Sequence, residues 1–162
     1  RMTPDIKESI LQVGDKIPDI SLPDQSGVEL NLGSLKGEPF ILYFYPKDNT
    51  PGCTKEACSF RDNYSAFTGA GIRVIGVSPD SANSHVKFIE KFDIPFTLLT
   101  DKNHELMELL GAWGTKVLYG RESVGVKRST FLISAEGSIV EAWRNVRVAG
   151  HVEKVLARAK NL

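Results

Sequence analysis

The chain has 162 residues, enough for one domain with a sizeable core, and its 41% hydrophobic and 25% charged residues are ordinary for a globular protein. Lysine and arginine balance aspartate and glutamate at 20 each, so only local patches could argue for nucleic acid or an anionic membrane as a partner. No apolar run approaches the roughly 18 residues of a membrane span. The stretch Arg1 to Leu11 is polar and charged, with no apolar signal core. The expectation is a cytoplasmic protein, with room for an organelle targeting peptide already cleaved.

In chain order, Ile17–Leu22 and Val28–Leu32 read as extended pieces around the turn Leu22-Pro-Asp-Gln-Ser-Gly27, a hairpin. Phe40-Ile-Leu-Tyr-Phe-Tyr45 is a continuous apolar run ended by Pro46, the pattern of a strand buried on both faces. A helix follows from Thr50 to about Phe67. Gly71–Val77 repeats the buried-strand pattern, and Ser81–Phe92 reads as a helix with Val86, Ile89 and Phe92 facing inward. Phe96–Leu99 is a short strand and His104–Leu110 a short helix closed by Gly111. Thr130–Ile133 and Ile139–Trp143 flank Glu136-Gly137 as a second hairpin, and Gly150–Lys160 makes a last amphipathic helix. Strands alternating with helices, then a hairpin and a helix, predict α/β layers around a central mixed sheet. That order resembles a thioredoxin-like core with an N-terminal β-hairpin extension, residues 1–162 forming one domain.

Two cysteines are present, in Cys53-Thr-Lys-Glu-Ala-Cys58. Two do not make a disulfide scaffold, and a loop this short constrains the unfolded chain little, so the pair argues for redox or metal chemistry. The three histidines, His85, His104 and His151, are scattered. None shows Cys/His spacing with the pair, which argues against a zinc site and leaves them as ordinary residues.

The helix after the first buried strand carries the pair. Thr50 suits an N-cap and Pro51 the first helical position, where its missing N–H costs nothing. Cys53 then falls in the first turn. At about 100° per residue, Ala57, Phe60, Tyr64 and Phe67 lie within roughly 40° of Cys53, so the apolar face carries Cys53 inward. Cys58 points about 140° away. A thiol at a helix start meets the positive end of the macrodipole and free backbone N–H groups, which favour the nucleophilic thiolate. The Thr50 hydroxyl is in reach of the sulfur as a donor or as a partner for bound peroxide. Residues five apart in a helix have α-carbons about 8–9 Å apart, beyond the roughly 7 Å limit for a disulfide. Bond formation between the two sulfurs therefore requires the first turns to unwind.

At these residues the sequence resembles the peroxiredoxins, specifically the peroxiredoxin Q or bacterioferritin comigratory group. Three blocks carry the likeness: Phe44-Tyr45-Pro46-Lys-Asp-Asn-Thr50-Pro-Gly-Cys53-Thr-Lys-Glu-Ala-Cys58; Gly111-Ala-Trp113 with Tyr119-Gly120; and Lys127-Arg128-Ser129-Thr130-Phe131-Leu-Ile133 with Trp143-Arg144. The resemblance implies a peroxidatic Cys53, a resolving Cys58, and a pocket completed by Pro46, Thr50 and Arg128. Pro46 would shield the sulfur, and Arg128 would hold the thiolate and donate to peroxide oxygens through its planar fork. It implies a hydroperoxide substrate, thioredoxin or a similar dithiol as reductant, a monomer, and no metal, haem or flavin cofactor. Ser134 stands where many relatives have Asp, and Leu118 where Met is frequent; neither touches the proposed chemistry.

Two other readings compete. A thioredoxin-like disulfide oxidoreductase would carry C-x-x-C spacing, whereas these cysteines are five apart. A redox-switched binding protein would use the same unwinding to reshape a surface.

Overall fold

Two short antiparallel strands, β1 (Ser21–Pro23) and β2 (Glu29–Asn31), open the chain in a computed structural model that describes residues 10–162. Residues 1–9 of the polar N-terminal stretch lie outside the described residues. The expected hairpin is present, with shorter strands. Asp24 Oδ1 accepts the backbone N–H groups of Ser26 and Val28 at 2.8 and 3.0 Å, winding that side into a turn. Ile17 donates instead to the Gly137 carbonyl at 2.8 Å, so the chain before β1 belongs to a different hairpin.

β3 (Phe40–Phe44) lies at the centre of a five-stranded sheet and is buried along its whole length. Parallel to it runs β4 (Arg73–Ser78), and parallel to that β5 (Thr97–Thr100). On its other side β8 (Ser129–Ile133) is antiparallel, with β9 (Ile139–Trp143) antiparallel beyond. The sheet is therefore mixed, as the element order predicts.

Alternation along β3 divides the interior in two. Phe40, Leu42 and Phe44 face a cluster completed by Leu106, Met107 and Leu110 around α4 (Glu105–Leu109), and by Leu22 and Leu32 from the hairpin side. Ile41, Tyr43 and Tyr45 face a second cluster. It is covered by α1 (Pro51–Asp62), α2 (Tyr64–Gly69), α3 (Ala82–Phe92) and α5 (His151–Ala159).

Three details depart from the sequence reading. The helix expected to run from Thr50 to Phe67 breaks at Asn63. There the side-chain amide donates to the Ser59 carbonyl at 2.8 Å, competing with the helical ladder. In α3 the fully buried positions are His85 and Phe88, while Val86, Ile89 and Phe92 are half-buried. The helix is rotated because His85 has polar partners inside. A further hairpin, β6 (Trp113–Leu118) with β7 (Arg121–Val126), was not foreseen. Its two-residue turn, Tyr119-Gly120, has positive φ at both positions (54° and 76°), the arrangement that matches strand twist in tight hairpins. Tyrosine in place of the usual Asn or Asp hid that signal.

Gly76, mid-strand in β4, has no room for a methyl group. A Cβ there would lie 2.8 Å from Leu98 Cδ2 and 3.0 Å from the Tyr43 ring. Gly76→Ala is expected to cost about 1–3 kcal/mol through overpacking. A urea midpoint equal to the parent's would mean that Leu98 and Tyr43 yield without strain.

Candidate active site

β3 ends at the C-terminal edge of the parallel strands and releases the chain into a loop, residues 45–50, that leads to α1. Pro46 is half-buried at the start of this loop. Asp48 is buried and fixes the loop from inside. Its carboxylate accepts the Tyr45 hydroxyl at 2.6 Å and the Ser84 hydroxyl at 2.8 Å, and lies 2.8 Å from His85 Nδ1. His85 Nε2 is 3.1 Å from the Leu99 carbonyl. The Asp48 N–H donates to Asp80 at 2.8 Å. The loop is thus tied to α3 and to the end of β4, although it is irregular and Asn49 has φ of 61°.

Thr50 occupies the N-cap position and Pro51 the first helical position, as expected. The Thr50 side chain does not cap, however. Its hydroxyl donates to the Lys47 carbonyl at 2.9 Å, within the loop, so its proton is not directed at the sulfur. That corrects the expectation of a donor to Cys53. The Thr50 carbonyl accepts the Thr54 N–H at 2.8 Å and starts the helical ladder.

Cys53 lies in the first turn of α1 and is 2% exposed, packed with Ala57 and Phe60 on the inner face. Arg128 comes to it from the β7–β8 junction, where its own carbonyl accepts the Val146 N–H at 3.0 Å. One arm of the guanidinium, Nη2, is 3.4 Å from Cys53 Sγ. The other arm, Nη1, donates to Glu56 Oε1 at 2.6 Å. Gly52 permits this approach, since a Cβ there would stand 3.2 Å from Nη2. The structure therefore brings Cys53 and Arg128 together, with Pro46 and Thr50 in the adjoining loop. Cys58 is half-buried one and a half turns on; both cysteines are free and α1 is fully wound.

Glu56 was missed in the sequence, although a signal existed. It stands three residues after Cys53, close to the apolar face, where a carboxylate needs an explanation. It is fully buried, and its Oε2 has no hydrogen-bond partner among the described residues. Burial pushes its carboxyl up to about 7, against the opposing pull of the Arg128 guanidinium. Burial works to lower Arg128, but Glu56 and the Cys53 sulfur outweigh it and hold the guanidinium above its ordinary value. Burial also raises the Tyr43 phenol, with Glu56 and Cys53 adding to the shift. One cation thus serves two acidic groups in a buried site.

A cysteine at a helix start, beside an arginine at the end of a mixed α/β sheet, is an arrangement suited to a thiol-based redox enzyme. Residues 13–142 match the AhpC/TSA family, and the chain belongs to it. It is 45% identical over 152 residues to peroxiredoxin Bcp of Bacillus subtilis, covering 94% of this chain and 97% of that protein. To peroxiredoxin Bcp of Escherichia coli it is 41% identical over 146 residues, covering 90% and 94%. Among solved structures, peroxiredoxin Q of Xanthomonas campestris superposes with a TM-score of 0.86 at 39% identity, covering 94% of this chain and 96% of that one. A structure of the Xanthomonas campestris bacterioferritin comigratory protein, also 39% identical with a TM-score of 0.86, concerns that protein's alkyl peroxide reduction activity. The fold is the thioredoxin-like fold of these peroxiredoxins, and the chain is a thiol peroxidase, an enzyme that takes a peroxide and a thiol reductant.

Glu56 yields a pH prediction. Its folded value of about 7 lies above the ordinary 4.5, so the folded state holds this proton more tightly than the unfolded state. The resulting stabilisation is complete below pH 4.5 and is lost as pH rises to about 7. Relative to Glu56→Gln, the parent's unfolding free energy should fall by up to about 3 kcal/mol across that window and stay level above it. Parallel denaturant curves from pH 4 to 8 read the difference; a constant offset would show that Glu56 does not titrate there.

Proposed function

We propose that Cys53 is the peroxidatic nucleophile and Cys58 its resolving partner, in a monomeric, single-domain cytoplasmic enzyme whose intramolecular disulfide is reset by thioredoxin. The observation that carries this reading is the buried Cys53 sulfur at a helix start with a guanidinium donor 3.4 Å away. The Cys53 thiolate attacks the terminal oxygen of a hydroperoxide, ROOH. The O–O bond breaks, S–OH forms, and RO⁻ leaves as the alcohol, or as water from hydrogen peroxide, after taking a proton.

Arg128 can follow the charge from sulfur to the departing oxygen, because Nη2 carries two N–H groups while Glu56 holds Nη1. Pro46 and Thr50 shape the approach from the loop side, Pro46 without adding a donor. Thr50 does so with a hydroxyl already committed as donor to Lys47, which leaves its oxygen able to accept from the peroxide O–H.

Resolution needs a second conformation. Unwinding the first turns of α1 lets the Cys58 thiolate attack the sulfenic sulfur, forming the disulfide and releasing water once a proton is taken up. A dithiol then reduces the disulfide by exchange. The cytoplasm, where dithiols are kept reduced, is the compartment in which such a cycle runs.

Cys58→Ser is expected to consume about one equivalent of peroxide per chain and then stall with Cys53 as sulfenic or further oxidised acid. Full turnover of that variant with thioredoxin would contradict the resolving role. Arg128→Lys keeps the charge but loses the fork, and should lower the rate constant for peroxide by about 100-fold in stopped flow. A loss below about threefold would remove Arg128 from the chemistry.

A further inference from the structure

Three stretches of chain meet around Cys53: residues 45–59, residues 126–130, and residues 143–151, the last tied to the second by the Val146–Arg128 backbone bond. They carry six cations, Lys47, Lys55, Lys127, Arg128, Arg144 and Arg147, and two carboxylates, Asp48 and Glu56; Arg144 is turned away from Cys53, donating to the Leu110 and Leu11 carbonyls beside the Phe131 ring. Both carboxylates are buried and turned inward, Asp48 onto Tyr45, Ser84 and His85, and Glu56 onto Arg128. Lys47, Lys55 and Arg147 are exposed and Lys127 is half-buried. Asp80, behind the loop, is taken up by the Asp48 N–H and the Ser78 hydroxyl. Charges at the margins are of both signs: Arg61 lies 3.0 Å from Asp62, with Asp93 close by, Arg121 and Glu122 point to opposite sides of β7, and Glu153 and Lys154 follow one another on α5. A chain of zero net charge therefore presents a positive face around its reactive cysteine.

The hydroperoxide does not account for that field. The peroxide group itself is neutral and gains nothing at long range; the short-range contact from Arg128 suffices for it. The other reactant must be the one steered. The β6–β7 hairpin adjoins this face through Lys127 and Arg128, which follow β7, while its base residues Trp113 and Val126 pack with the cluster on the other side of the sheet from Cys53. On the same side of the ribbon by register, it leaves Val117 and Val124 64% and 65% exposed, with the exposed Glu122 across from Val117. Apolar side chains beside a charged rim are the composition of a protein-binding surface.

We infer that this face docks a dithiol protein whose own redox pair lies in an acidic surround, and that the field steers it to the Cys53–Cys58 disulfide. The inference rests on the roles given to the two cysteines above. A thiolate of the partner attacks one sulfur, the S–S bond breaks, and a mixed disulfide forms as the other cysteine leaves as thiolate. The partner's second thiol attacks the mixed disulfide and releases the remaining cysteine. The partner is oxidised by two electrons to a disulfide, and this chain is reduced to two cysteines. Unwinding α1 frees Glu56 and Arg128 together, one charge of each sign, so the face keeps its polarity.

The test uses the full-length oxidised protein and two reductants: a thioredoxin of net negative charge, and dithiothreitol, which is neutral. Rates are read by stopped-flow tryptophan fluorescence at about 20 mM and about 500 mM NaCl, on either side of effective screening. The thioredoxin rate should fall at least about tenfold with salt, and about tenfold in Lys55→Glu/Arg147→Glu at low salt, while dithiothreitol rates change less than about twofold. The difference between variant and parent should vanish at high salt. A thioredoxin rate indifferent to both salt and charge reversal, on a disulfide that dithiothreitol reduces normally, would overturn the docking surface alone. Peroxide consumption with no Cys53–Cys58 disulfide in peptide mass spectra would overturn the inference and the cysteine roles together.

Discussion

The Arg128 guanidinium lies between two acidic groups, with one arm on the Cys53 sulfur and the other on the Glu56 carboxylate. A lone carboxylate at that depth would carry a large desolvation cost, and so would a lone thiolate. The shared cation makes both tolerable at once, and burial keeps the arrangement from being screened by water. Changing any one of the three alters the charge felt by the other two. This coupling explains why Glu56, which contacts no peroxide in the proposed reaction, belongs to the account.

The fold places those three groups from distant parts of the chain. Cys53 and Glu56 come from α1, which follows β3, and Arg128 comes from the junction leading into β8. Pairing of Phe44 with Ser129 in the β3–β8 register sets the start of the helix beside the arginine. Gly52 supplies the clearance between them. The buried Asp48, held by Tyr45, Ser84 and His85, keeps the intervening loop from drifting. Rigid attachment on that side contrasts with α1 itself, which the proposed cycle requires to open. The break at Asn63 ends α1 before the segment that buries Phe67, so opening need not disturb that anchor.

Much of this was legible in the sequence, because the strong signals are local. The apolar run at Phe40–Tyr45, the Thr50-Pro51 helix start and the phase that turns Cys53 inward all depend on residues within a turn or two of one another. What escaped depends on long-range partners. The orientation of α3 could not be read from Val86, Ile89 and Phe92, since the position that turns inward is His85, whose ring is satisfied by Asp48 and the Leu99 carbonyl. Of the two roles expected of the Thr50 hydroxyl, donor to the sulfur or partner for a bound peroxide, the first is not seen because its proton goes to the Lys47 carbonyl, a choice between two nearby acceptors that spacing does not decide. The pairing of Glu56 with an arginine 72 positions away is of the same kind.

The central claim is that the buried sulfur of Cys53, held beside Arg128, is the atom that reacts with peroxide. Stopped-flow consumption of hydrogen peroxide by the reduced protein, beside its Cys53→Ser variant, tests it most directly. The account predicts single-turnover consumption many orders faster than a free thiol, absent in the variant. Consumption no faster than a free thiol, and unchanged by loss of Cys53, would contradict it.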